Sequence, residues 1–222
     1  MAVASYSGIM LMIMLSGGLI GLPLGIPPLP EDPLLSKVAP AECLWYWSSA
    51  GVAVPDPKSG NHTEQLMAEA QVQRLVQALE KELLAAIARK PFPFEEQQVA
   101  AHEVPKLLKA FIMRPWALFV SKVVLTASGP SVEAGFVVSL GENANETLKS
   151  LTALENIALD GAEPEVVEEG GVSWHKLPLP PGGPPAMWGA KGKYLLVAVG
   201  EGAGAGILER ARKAPPAWKL GR

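Results

Sequence analysis

Gly200, Gly202 and Ala205 lie in "YLLVAVGEGAGAGILERARK", residues 194–213, with the spacing Gly-x-Gly-x-x-Ala between an apolar run and a short helical segment. In a dinucleotide-binding unit such a turn brings backbone N–H groups and a helix N-terminus against a pyrophosphate. That chemistry also needs a second parallel strand and an acidic residue about 20 positions further on, to hold the ribose. Neither follows here, since Glu209 is the last acidic residue. Gly-Lys-[Ser/Thr] is absent as well, so the turn is not a P-loop. It reads as a strand bending tightly into a helix, with Gly202 and Gly204 the candidates for holding an anion in the turn.

Other residues capable of chemistry do not assemble by spacing. "HEVPK" begins like a zinc-protease helix, but Lys106 stands where the second His belongs and Pro105 intrudes. His62, His102 and His175 have no ligand spacing, and no Gly-x-Ser-x-Gly elbow occurs. The acidic run from Glu163 to Glu169 reads as the solvated face of a hairpin. Cys43 is the single cysteine, so there is no disulfide framework and no cysteine metal site, and it reads as a small buried hydrophobe. Asn61-His62-Thr63 and Asn145-Glu146-Thr147 have the form of glycosylation sequons, although both asparagines also suit caps and turns. The pattern calls for no metal, no cofactor and no assigned catalytic residue. Six tryptophans remain, at 45, 47, 116, 174, 188 and 218. They read mainly as core residues on a sheet, with Trp45, Trp47, Trp174 and Trp188 the candidates for an aromatic ligand patch.

The elements that would position these residues follow from periodicity. "ECLWYWS" is a β-prone run, with Cys43, Trp45 and Trp47 expected on one face and Leu44 and Tyr46 on the other. Asn61 and Glu64 have capping-box spacing ahead of a long helix whose Leu75, Val76, Leu79, Leu83 and Ile87 share a face, and which should stop at Pro91. Residues 92–115 suggest a helical turn or two and then a second helix with Pro105 in its first turn. Three hairpins are predicted: one around "SGPS" (128–131), one around Gly170-Gly171 and one around Lys191-Gly192-Lys193. A short helix capped at Asn143 separates the first two, and a proline-rich turn, "PLPPGGPPAM", leads into the third. Strands joined by short turns pair antiparallel, so the expected fold is α+β, a mostly antiparallel sheet with helices packed on one face.

Composition bounds the class. In 222 residues, 49% apolar, there is enough to bury a core, while Gly and Pro at 22 and 21 residues point to many turns. A net charge of −3 without a Lys/Arg block excludes a nucleic-acid partner. No charge precedes Glu31, and residues 8–27 are almost wholly apolar or small. Residues 1–28 therefore read as a signal peptide or, uncleaved, as a membrane anchor through residues 8–27. Both place the rest of the chain outside the cytoplasm. The expected organisation is completed by a proline-rich linker over 29–41, a single domain over 42–213 and a tail over 214–222.

The export-like segment, "PLPEDPLLSKVAPAECLWYWSSAG", the helix around "EQLMAEAQVQRLVQALE", and "WGAKGKYLLVAVGEGAGAGILERA" with its Pro-Trp tail together resemble the N-terminal part of large uncharacterised extracytoplasmic bacterial proteins with a domain of unknown function. The likeness spans most of residues 29–220. It implies a longer protein of which this chain is a fragment or short version, and it brings no activity with it. Two function classes follow: an exported non-enzymatic module that binds a protein or small ligand or serves as an envelope scaffold, or an extracytoplasmic hydrolase-like enzyme without a recognisable motif.

Overall fold

All seven β runs enter one antiparallel sheet, in a computed structural model that describes residues 28–88, 95–126, 129–177 and 183–213. The strands are β1 (Trp45–Ser49), β2 (Trp116–Thr126), β3 (Gly129–Ser139), β4 (Val166–Glu169), β5 (Val172–Lys176), β6 (Ala186–Lys191) and β7 (Tyr194–Val199), in the spatial order β1-β2-β3-β7-β6-β5-β4. The helices are α1 (His62–Ala68), α2 (Ala70–Ala88), α3 (Glu95–Met113), α4 (Ala144–Ala158) and α5 (Ala203–Ala211). The protein is therefore α+β. The expected export or anchor segment, the stop at Pro91, Ser128 of the first turn, the start of the proline-rich turn and the tail with Trp218 lie outside the described residues. Among the described residues no helix is long and apolar enough to cross a membrane.

The chain divides into two compact units, one holding Val52–Ala86 and the other Leu29–Gly51 with the described residues from Ile87 onward. The stretch expected as one domain is thus shared between them. In the first unit Asn61 caps α1, its side chain accepting from the N–H groups of Thr63 and Glu64. Glu64 does not close the box. Its buried carboxylate instead accepts from the N–H of Asp56, 2.9 Å away, and so fastens the preceding loop. On α2, Leu75, Val76 and Leu79 share a face as expected but stay exposed; the side chains of Leu83 and Ile87 lie outside the described residues.

In the second unit the sheet is covered on both faces, which corrects the expectation of helices on one. Ala117, Phe119, Val137, Leu196, Ala198 and Trp174 form one face, beneath Ile207 and Leu208 of α5 and Leu35, Val38 and Ala39. Trp116, Phe136, Val138, Leu195 and Trp188 form the other, beneath Phe111 of α3 and Leu148 and Leu151 of α4. The reason lies in the central strands: "FVV" in β3 and "LLVAV" in β7 are apolar at successive positions, so both of their faces must leave water.

Residues 29–41 are likewise not a linker. Val38 is wholly buried and Asp32, also buried, accepts from the Leu34 N–H, the Tyr194 hydroxyl at 2.9 Å and Lys193 at 3.3 Å. Burial alone would push the Asp32 carboxyl up; these donors hold it below its ordinary value. Arg210 of α5 completes the attachment, donating through Nε to the Val38 carbonyl at 2.6 Å. The apolar residues of this segment, Leu35, Val38 and Ala39, supply the contact with the core, which a proline-rich composition did not reveal.

α3 runs unbroken through Pro105, which also corrects the expected division. Buried Leu107 and half-buried Phe111, four residues apart, anchor its second half, so packing outweighs the lost backbone donor. Its polar side is tied to α4 by Glu103, which accepts from the Ser150 hydroxyl and from Lys106. The Ser150 hydroxyl first, and Lys106 after it, hold the Glu103 carboxyl down to about 2. A folded-state value below the ordinary 4.5 means that the unfolded chain takes up the proton first. Stability from this group is therefore complete above about pH 4.5 and is lost as the pH falls toward 2. Glu103→Gln is expected to flatten the fall of Tm over that interval, and an unchanged acid slope would show that the bond contributes nothing.

β2 and β3 reach further than "SGPS" suggested. They pair from Trp116↔Val138 out to Thr126↔Gly129, with a bulge between Val120 and Lys122. Beyond the bulge neither strand has another neighbour among the described residues, because β1 pairs only with residues 116–120 of β2 and β7 only with residues 134–139 of β3. A two-stranded arm results. Pro130 pairs opposite Leu125 in this arm.

Candidate functional site

The four tryptophans proposed for a ligand patch separate into two groups. Trp174 on β5 is wholly buried on the α5 face, and Trp188 on β6 is buried on the opposite face. Neither can offer a surface to a ligand, which corrects that assignment. Their burial follows from position: β5 and β6 lie one and two strands in from the β4 edge, beneath α5 on one side and α4 on the other. Trp45 and Trp47 are each 52% exposed on β1, the strand at the other edge.

Cross-strand geometry explains how two half-exposed indoles are held. Trp47 stands opposite Leu118 and meets Trp116 edge-on at 5.2 Å, Trp116 lies 5.8 Å from Phe136, and Phe136 meets Phe111 at 5.7 Å. An aromatic row thus runs from solvent into the core, each pair adding to area burial alone. Tyr46 turns to the other face, as alternation predicts. Cys43 departs from the expected alternation: it packs on Tyr46's side, because the strand begins only at Trp45.

The register carries this exposed strip onto the arm. Val123 pairs with Val132 and Leu125 with Pro130, so both stand on the Phe136 side of β3, the side of Trp45 and Trp47. Leu125 is 86% exposed and Leu44, just ahead of β1, 67%; Val123 is exposed as well, while Val124, opposite Ser131, stands on the other face. Apolar residues here bridge two elements that look unrelated in sequence. The available signal was the absence of any charge in "VVLTASGPSV" between Lys122 and Glu133.

A second cluster was not legible in the sequence. Glu155, buried on α4, accepts from Trp188 Nε1 at 3.0 Å and is 2.8 Å from His175 Nδ1, while the imidazole stacks on the Trp188 indole at 4.3 Å. The carboxylate fixes the imidazole, as in a carboxylate–histidine pair that orients a base. Through its bonds to Trp188 and His175 the Glu155 carboxylate joins α4 to the sheet. His62 and His102 lie far from it in sequence, on exposed helical positions. Among the described residues no group of three His, Cys, Asp or Glu side chains could hold a metal ion.

The glycine turn has a packing explanation. Gly202 is the residue before α5, at φ +71°, with no side chain of its own to cap the helix. Gly204 is buried, and a Cβ built on it would lie 3.0 Å from the Trp174 ring. At Gly204 the helix start packs against the Trp174 indole. Of the two sequon asparagines, Asn61 caps α1 as expected, whereas Asn145 is exposed within the first turn of α4 and is neither cap nor turn.

No protein-family model matches the sequence, and no curated protein matches it. A solved structure of a GTP binding regulator from Thermotoga maritima is similar over 45% of this chain and 62% of its own length, with 16% identity and a TM-score of 0.26. A likeness of that size carries neither fold nor function across. The fold and the surface themselves define the class: an α+β protein with a doubly covered antiparallel sheet and an apolar strip along one edge.

Proposed function

We propose that the chain is an exported, non-enzymatic module that binds a partner or serves as an envelope scaffold outside the cytoplasm, and that it makes contact through the strip from Trp47 to Leu125. The export half of this reading rests on the uncharged residues 8–27 and on the resemblance to extracytoplasmic bacterial proteins. The binding half rests on one observation: two tryptophans held half-exposed on an edge strand, continuous with an uncharged arm. Apolar exposure on this scale marks interaction surfaces. The opposite edge is different in kind, since β4 ends in Glu168 and Glu169, charges that discourage pairing.

The observation on the side of the hydrolase-like alternative is the Glu155 carboxylate orienting the His175 imidazole. Fractionation of tagged full-length chain tests the export half, and retention in the cytosol without processing would overturn it. A photo-crosslinking residue in place of Leu44 tests the binding half in the same cells. Adducts are expected at position 44 and not at Glu163, near the acidic edge; equal labelling at both would remove the strip from the argument.

A further inference from the structure

We infer that the occupant of the strip is a second copy of this chain, seated strip to strip about a two-fold axis; this rests on the reading of that strip as the binding surface. Leu44, Trp45, Trp47, Val123 and Leu125 are 67, 52, 52, 54 and 86% exposed. With an aromatic side chain presenting 150–250 Å² and smaller areas for Leu and Val, they offer roughly 600 Å² per copy. Two copies would bury roughly 1,200 Å², the lower end of the range for specific interfaces. The area therefore suits a reversible dimer, formed as concentration rises.

Chemistry favours a copy over a charged partner. None of the five side chains is ionisable, so the strip itself sets no like charges against each other across a two-fold axis. Lys122 and Glu133, which bound the uncharged arm in sequence, stand opposite each other across β2 and β3 and are of opposite sign, so that pair is balanced within each copy. At the β4 edge the same operation would set Glu168 and Glu169 against their own copies. A closed, isologous contact of this kind uses one patch on both partners and stops at two.

The test uses full-length chain with the photo-crosslinker at Leu44 or at Leu125. The expected adduct has twice the 23.5 kDa mass of the chain, and Trp45→Lys with Leu125→Lys is expected to lower its yield by roughly tenfold or more. Val166→Lys, at the other edge, is expected to leave the yield unchanged, and matching thermal melts of all variants show that each has folded. Adducts at other masses alone would overturn the second copy while leaving a binding surface for a different protein, and sedimentation that is monomeric at every concentration would do the same. Absence of any adduct would overturn both the second copy and the binding surface, and a yield insensitive to the double substitution would place the contact elsewhere on the chain.

Discussion

Trp174→Ala is expected to lower the unfolding free energy by about 4 kcal/mol, within the 3–5 kcal/mol typical of deleting a fully buried large aromatic. Trp174 is 0% exposed among Val172, Leu208 and the other residues of the α5 face. Its indole lies between two glycines: a Cβ at Gly204 would come within 3.0 Å of the ring and one at Gly189 within 3.4 Å. Helix and strand have thus closed onto the ring from both sides, and neither can collapse into the space its removal would leave without dragging α5 or β6 along. Denaturant unfolding measures the loss as a lower midpoint at unchanged slope. A cost below about 1 kcal/mol is what a surface tryptophan would show, and it would return Trp174 to the ligand-patch assignment.

Gly200→Ala should cost about 3 kcal/mol, from backbone strain of about 1–2 kcal/mol and overpacking of about 1–3 kcal/mol. Gly200 sits at φ +100°, and a Cβ there would lie 2.3 Å from the carbonyl oxygen of Val132 on β3. That neighbour is backbone in a paired strand, so it has no rotamer by which to yield. Gly202→Ala supplies the comparison, because Gly202 is also left-handed, at φ +71°, but has nothing within 4 Å of its missing side chain. Strain alone remains, and about 1 kcal/mol is expected. Equal costs at the two positions would contradict the close approach to β3. A larger cost at Gly202 would point to a demand on the turn that packing does not supply.

The two substitutions also show how the opening motif should be read. Alternating glycines suggested a bound anion because that is what such turns do in dinucleotide sites. In this fold Gly200 is needed for passage beside Val132 and Gly204 for contact with Trp174, and both partners are distant in sequence. The sequence shows that side chains are missing at these positions; it cannot show which neighbours need the room.

The strands and hairpins were legible because their signals are local. Alternation, the β-prone residues of β1 and the glycines at 170, 171 and 192 depend on neighbours a few residues away, and pairing through short turns settles antiparallel order. The unbroken helix through Pro105 was not legible, since the packing of Leu107 and Phe111 that sustains it comes from the sheet and α4. The same holds for Glu155. An acidic residue in an amphipathic helix reads as solvated, and only contact with Trp188 and His175, 33 and 20 residues onward, shows it to be buried and hydrogen-bonded.

By itself the sequence determined the α+β class, the seven β runs found among the described residues and the glycine turns at 170–171 and 192, because each rests on backbone preference or on residue type. Tertiary structure decided which apolar residues are hidden. Trp174 and Trp188 enter the two cores while Trp45 and Trp47 remain at an edge, although all four have the same side chain in a β run. The difference is the number of neighbours around each strand: β5 and β6 have a strand on either side and helices over the sheet, while β1 is paired with β2 alone among the described residues.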